Sequence, residues 1–400
     1  MKKWFYLCVL ALGLQACIYP YEVQLDSSET EKVLVVDGTI VVGGESTVYL
    51  SYMIPFSSEG GLFSLPEGGT VRVEDETGRQ YPGTPVRSNL PSDMYYNSDS
   101  YAGIIYSGRN VPYIVHTEES TPGHQYRVVA EVDGEVYVSA WQEATPVPEI
   151  QDVYFEADDE MVYVYVDLEK AAPEGSGYLN FTYDETWEFH VDYEPQWFVN
   201  TENWTYYEDP FYKNPYYWCF RSYSSARRQL IDYSQLEQGQ VSHYLLTAFQ
   251  RTNNRNHRRY SINVKAMSMT QESYQYERQT QQQTDVGGDL FSPDPGAIAG
   301  NLRCESNPEK PVMGMVMTCE TTSKRSWLNN RYSLYRPMTV AWVFPENPKQ
   351  MMELYYNADH RPIEKVMVEN EEKVGWGPER CINCIIAGGT QVRPDFWENY

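Results

Sequence analysis

Basic residues are scarce. The 400-residue chain carries 31 Lys and Arg against 56 Asp and Glu, a formal net charge of −25. A surface of that sign repels a phosphate backbone, which argues against nucleic acid as a partner. It also disfavours lying flat on anionic lipid. Long apolar runs are missing as well: no stretch approaches the roughly 20 apolar residues that a helix needs to cross a bilayer. Familiar catalytic signatures are absent. There is no G-x-S-x-G elbow, H-E-x-x-H pair, phosphate-binding loop or G-x-G-x-x-G turn. The histidines (His116, His124, His190, His243, His257 and His360) stand at no metal-ligand spacing. No cofactor or metal is therefore expected, and the chain reads as non-catalytic. A hydrolase of unknown type stays open, because acidic pairs such as Asp158-Asp159 are plentiful and the carboxylate separation of about 5–9 Å that a glycosidase needs is not visible in a sequence.

What is present begins at the N-terminus. Met1-Lys2-Lys3 precedes an apolar run from Trp4 to Leu14, the layout of a secretory signal peptide. The run ends in Leu14-Gln15-Ala16-Cys17, which resembles the lipobox of bacterial lipoproteins. That resemblance implies residues 1–17 as a lipoprotein signal peptide and Cys17 as the lipidated (palmitate-bearing) first residue of the mature chain. Stable anchoring takes more than one acyl chain. The alternative is an ordinary cleavable signal with an incidental Cys. Residues 18–31 read as a polar tether. Ile18 gives no retention signal of the Asp type, so the outer membrane is the expected address. No acidic cluster follows Cys17 directly, and the periplasmic and outward faces both remain open.

Export places the other thiols in a disulfide-permissive space. Beyond Cys8 and Cys17 the chain has Cys219, Cys304, Cys319, Cys381 and Cys384. The Cys381-x-x-Cys384 pair is half a zinc site at most, and its turn-like flanks do not suit a thioredoxin-like redox motif. A structural staple is the expectation. Cys304 and Cys319, each flanked by short extended runs, are the favoured bridge; connectivity is otherwise open, and an odd number leaves at least one thiol over.

Tyr (35), Trp (10), Gly (26) and Pro (24) are abundant, which favours strands and turns. Val71 and Val73 alternate with Arg72 and Glu74, and Asp133-Gly134 separates two alternating runs as a hairpin turn. The expected fold is all-β: an N-terminal immunoglobulin-like domain over 32–146, the connector Thr145–Ile150 with its two prolines, and a larger C-terminal β-sandwich over 149–400. One helix is predicted near 270–284, with Thr270 as its cap. The segments "TVAWVFP" (339–345) and "MMELYYNA" (351–358) read as further strands.

Two stretches invite a functional reading. Residues 183–219 form an aromatic insertion with Trp197, Trp204, Tyr206, Tyr207, Tyr212, Tyr216, Tyr217 and Trp218 among acids and prolines. Such rings stack on sugars or anchor a protein partner when exposed, or fill the sandwich when buried; positions 197–218 show no clean alternation to decide. The basic run 251–258 is either an anion contact or a solvated loop between strands.

Ser268, Tyr274, Tyr276, Gly288, Leu290, Phe291, Pro295, Gly300 and Asn301 together resemble the hallmark of the domain of unknown function 4249 family. The start at 33–40 and the ending at 381–397 are similar to that family's two ends. Arg278, Cys304 and Cys319 depart from its pattern. The resemblance implies an envelope lipoprotein of Gram-negative bacteria, of a kind often encoded beside TonB-dependent receptors, and no catalytic residue. The expected function is a non-catalytic accessory or ligand-binding partner of a TonB-dependent uptake system. A structural or adhesive envelope lipoprotein without a small ligand is the alternative.

Overall fold

A computed structural model describes residues 33–52, 68–86, 111–118, 123–169, 177–225, 228–234, 241–286 and 298–397. Cys17, the signal and tether, and the motif residues Gly288, Leu290, Phe291 and Pro295 lie outside them. The described chain is all-β and sandwich-like, with two α-helices among these residues, α1 (Gln271–Val286) and α2 (Pro348–Asn357).

The first sandwich packs two sheets. In one, strand Leu34–Val41 pairs antiparallel with Glu45–Tyr52, which pairs with Val111–His116. In the other, Gln125–Val132 lies between Thr70–Asp75 and Glu135–Ser139. Inward-facing Val36, Val48, Leu50, Val73, Val115 and Val128 fill the space between, as period-two alternation dictates. Asp133 (φ 51°) and Gly134 (φ 81°) both take the left-handed conformation, which suits the tight, right-twisted hairpin they connect.

This sandwich is not contiguous in sequence, which corrects the division into 32–146 and 149–400. Strands Val312–Met313 and Val316–Cys319 return to pair in parallel with Leu34–Val41, and Leu302–Cys304 pairs with Glu135–Ser139. A run of strands from 150 to 269 therefore intervenes between the two parts of the first sandwich. The returning chain is closely packed at two glycines. A Cβ on Gly300 would lie 1.7 Å from the Gly314 carbonyl oxygen, and one on Gly314 (φ 111°) would lie 2.1 Å from that of Val36. Beside them the Asn301 amide reads both backbone groups of Val316, donating to its O at 2.7 Å and accepting from its N at 3.0 Å.

The second sandwich faces a three-stranded sheet (Ile150–Ala157, Met161–Leu168, Tyr244–Gln250) against a sheet centred on Tyr178–His190 and Arg259–Met269. Strand Thr321–Asn329 completes the latter. Val162, Val164 and Val166 point inward, while Tyr163 and Tyr165 face outward, as their alternation predicts. Helix α1 starts as expected, with the Thr270 hydroxyl accepting from Ser273 N at 3.1 Å. Its Tyr276 packs on Met269, Met315 and Met317 between the sandwiches.

The basic run 251–258 turns inward at its centre. Glu185 is fully buried and accepts from the Tyr260 hydroxyl at 2.6 Å and pairs with Arg255 at 3.0 Å. Arg255 comes from a 3-10 turn, Asn254–Asn256, capped by Asn253. Its guanidinium lies 5.2 Å from the Trp187 ring centroid. A buried carboxylate requires such a partner, which gives this arginine a structural role and not an anion-binding one.

The junction yields a prediction. Gly300→Ala forces a Cβ into the backbone of 314 and is expected to destabilise the protein by more than about 4 kcal/mol. Gly134→Ala, a turn glycine with open space around it, is expected to cost about 1 kcal/mol. Urea unfolding of both variants checks the contrast; equal effects would contradict the close-packed return.

Candidate functional site

Below the second sandwich lies a smaller unit. It contains two hairpins, Trp197–Asn200 with Thr205–Glu208 and His360–Val368 with Glu371–Pro378, and helix α2. Its centre is the fully buried Trp376, with Val340, Ile363 and Cys381 forming an adjacent core. Segment 351–358, read as a strand, is helical through Asn357. Asn347 caps α2 by accepting from Gln350 N at 3.1 Å, and Pro348 opens it; these start signals outweigh the apolar run. Segment 339–345 forms no strand and contributes only an isolated bridge from Val343 to Trp376.

The first hairpin explains where the aromatics go. Phe198 stands opposite Tyr207, and Val199 opposite Tyr206, so the stretch has a short period-two pattern after all. Phe198 and Tyr207 are stacked at 5.5 Å, and Phe198 meets Tyr212 edge-on at 4.8 Å. With Tyr216 and, from α2, Tyr355, they line an open cleft of about 250 Å3. Three of the eight expected residues, Tyr207, Tyr212 and Tyr216, line this cleft. Trp197, Trp204 and Tyr206 support it from behind. Tyr206 accepts from Trp376 Nε1 at 2.9 Å, Lys365 sits 4.8 Å over the Trp197 ring, and Trp204 packs edge-on against Tyr355 and Tyr356. Trp204 does so from the left-handed region (φ 55°), a conformation held by its surroundings.

Charge in the cleft is paired. Arg361 lies 2.5 Å from Glu379, donates to the carbonyls of Tyr355 and His360 at 2.9 Å each, and covers the Tyr355 ring at 4.0 Å. Asn383 also reaches Glu379, at 3.4 Å. Burial, then neighbouring Tyr216, Asp209 and Tyr207, push the Tyr212 phenol up, so it stays protonated and able to donate. Phe198, Tyr355, Arg361, Glu379 and Asn383 were not anticipated. The Asn347-Pro348 helix start was the available signal for Tyr355; the long-range approach of 361–383 to 198–216 left none.

Tyr217 and Trp218 lie elsewhere. Both pack on His190, at 4.8 and 4.7 Å, and Arg258 covers Trp218 at 4.5 Å. His190 in turn meets His257 at 3.9 Å, and His257 meets Tyr335 at 4.2 Å. Burial and the neighbouring His190 push His257 down to about 4, with Asp192 opposing.

The disulfide expectations are corrected here. Cys219 is bonded to Cys384, with Cα atoms 5.7 Å apart across 165 residues of sequence. Cys304, Cys319 and Cys381 are free and buried. Cys304 and Cys319 belong to different sheets of the first sandwich. Cys381 and Cys384 are separated by the end of a short 3-10 turn and join different cores. Burial pushes Cys319 up to about 12, so it is an inert core residue. The bridge straps the C-terminal segment onto strand Trp218–Ser224, aided by Cys384 N donating to Tyr216 O at 3.0 Å and Asn214 Nδ2 to Ile382 O at 2.7 Å. Among the described residues, no group of three or more His, Cys, Asp or Glu is placed to hold a metal, and no helix is long and apolar enough to cross a membrane.

Two predictions follow from these contacts. Cys219→Ser with Cys384→Ser is expected to lower stability by about 2–5 kcal/mol, read by thermal unfolding, and non-reducing peptide mapping should recover the 219–384 pair. His257, neutral in the fold, contributes stability that is complete above its unfolded value of 6.5 and lost as pH falls toward about 4. The urea midpoint should therefore drop between pH 7 and pH 5 by more in the wild type than in His257→Gln; equal drops would refute the assignment.

No curated protein matches this sequence. Among solved structures, trypsin-activated alpha-2-macroglobulin from Escherichia coli is similar at 11% identity, over 60% of this chain and 15% of that one, with a TM-score of 0.18; a likeness so slight carries no argument. The model for the "Domain of unknown function (DUF4249)" matches residues 18–325. That match spans Ser268, Tyr274, Tyr276, Gly300 and Asn301, and it stops short of the ending at 381–397; the chain belongs to the DUF4249 family.

Proposed function

We propose that this protein is a non-catalytic, lipid-anchored lipoprotein of the outer membrane that binds a ligand in its aromatic cleft as the accessory of a TonB-dependent receptor. The observation that carries the binding role is the convergence of Phe198, Tyr207, Tyr212, Tyr216 and Tyr355 on one open cleft. Concave sites walled by aromatics and set with a few polar groups are the usual form of a small-ligand site. A binder is favoured over an enzyme because the carboxylate in this cleft, Glu379, is committed to Arg361 and Asn383 and is not available as a general acid or base. Anchoring through Cys17 and the receptor partner rest on the lipobox-like run and on family resemblance.

The test uses the full chain in native membranes. Covalent cross-linking and affinity capture are expected to recover a receptor barrel with the wild type, and less of it with Cys17→Ser, whose intact mass should lack fatty acid. Recovery of the chain alone, or a Cys17→Ser protein that keeps both its acyl mass and its membrane fraction, would overturn the reading.

A further inference from the structure

We propose that the cleft takes a neutral oligosaccharide. This rests on the reading of the cleft as a binding site and adds the class of its ligand. Three features of the walls converge on it. First, the lining rings stand at different angles to one another: Phe198 and Tyr207 lie nearly parallel at 25°, whereas Phe198 and Tyr212 stand at 69°. Such a corner contacts a ligand that has flat apolar faces and is not itself spherical. At about 250 Å3 the space is small beside the roughly 300–1,000 Å3 of typical ligand pockets, and it is open, so a chain of rings is able to run through it with only one or two units inside.

Second, the hydroxyls of Tyr207, Tyr212 and Tyr216 make no hydrogen bond to another described residue. Tyr206, by contrast, spends its hydroxyl on Trp376. A phenol both donates and accepts, so three of them around one cleft match a ligand rich in hydroxyls. A purely apolar ligand would bury them unmatched, at a cost for each.

Third, the charges of the lining are closed. Arg361 is taken by Glu379, by two backbone carbonyls and by the Tyr355 ring. The Asp209 carboxylate, at the start of the loop that carries Tyr212, accepts among the described residues only from Phe211 N, at 3.1 Å, and keeps its charge near the Tyr212 phenol, which makes a cation the competing ligand that the tetramethylammonium control tests. An anionic ligand therefore finds no uncommitted cation in the cleft wall. A cationic ligand seeking the aromatic faces meets the Arg361 guanidinium on Tyr355. Apolar faces, several hydroxyls and no unpaired charge in the lining together describe a pyranose chain.

The experiment is titration of the full mature chain, followed by calorimetry and by intrinsic Tyr and Trp fluorescence. The probes are neutral hexasaccharides of glucose, mannose, galactose and xylose, with citrate and tetramethylammonium as anionic and cationic controls. At least one hexasaccharide is expected to bind saturably at one site per chain. Tyr212→Ala should weaken it at least tenfold. So should the triple variant Tyr207→Phe, Tyr212→Phe, Tyr216→Phe, which keeps every ring and removes only the hydroxyls; its thermal unfolding should match the wild type. Trp218→Ala, outside the cleft, should bind as the wild type does. The inference is overturned if none of the hexasaccharides binds, if the triple variant binds as well as the wild type, or if citrate or tetramethylammonium occupies the site instead. Receptor capture without any saccharide binding would sink this inference and leave the uptake reading standing; saccharide binding without receptor capture would do the reverse.

Discussion

One hydroxyl holds the two sandwiches to a common point. Ser268 Oγ donates to Thr145 O at 2.6 Å and accepts from Glu320 N at 3.1 Å, while Ser268 N donates to Glu320 O at 3.1 Å. Thr145 belongs to the segment on which the chain leaves the first sandwich. Glu320 is the single residue between strand Val316–Cys319 of the first sandwich and strand Thr321–Asn329 of the second. Ser268 is 1% exposed, so each of these bonds is made out of water, where leaving a group unpaired is costly. Both passages of the chain from the first sandwich to the second are thereby fixed at the end of one central strand.

The family hallmark gains a physical meaning from this joint. Ser268 ties the crossings, and Tyr274 packs on Tyr178 at 4.7 Å. Tyr276 fills the methionine cluster between the sandwiches, and Gly300 and Asn301 dock the returning chain. These are residues of assembly. Ser268 and Asn301 satisfy backbone groups, Gly300 allows a close approach, and the two tyrosines fill apolar space. Among the described residues the hallmark therefore marks how the two sandwiches are joined, whereas the cleft is built from other parts. Its hairpin at 197–208 lies inside the matched 18–325, but Tyr355, Arg361 and Glu379 lie beyond it. A shared frame with a separately built site is the usual way one fold serves different ligands.

Local patterns were legible in the sequence and distant ones were not. Val162, Val164 and Val166 announce an inward face by alternation alone, Asp133-Gly134 announces its turn, and Thr270 announces the start of α1. Each depends on neighbours a few residues away. The pairing of Leu34–Val41 with Val316–Cys319 joins residues 278 positions apart and has no local mark except two glycines, Gly300 and Gly314, that resemble ordinary turn residues. The disulfide misled for the same reason. The short extended runs that flank Cys304 and Cys319 favoured a bridge between them, while the geometry a bridge needs was met by Cys219 and Cys384, far apart in the chain. The aromatic stretch was recognised as a candidate, but only Tyr207, Tyr212 and Tyr216 of its expected residues line the cleft, and that is a tertiary fact.

The cleft depends on the strap as much as on its own rings. Glu379, Ile382 and Asn383 form one wall, and they are held by Cys384, by Asn214 and by the Thr390 bridge to Phe220. Tyr216, on the opposite wall, shares its carbonyl with Cys384 N. Both walls are thus fixed to the same short segment of backbone, and the loop that carries Tyr212 is closed at its far end by Asp209 N donating to Gln196 O at 3.0 Å. A ligand entering such a cleft would not have to order it, and the entropy that binding otherwise spends on loops is saved. Aromatic rings with two rotatable bonds, set on a covalently strapped frame, give a cleft whose shape is built into the fold.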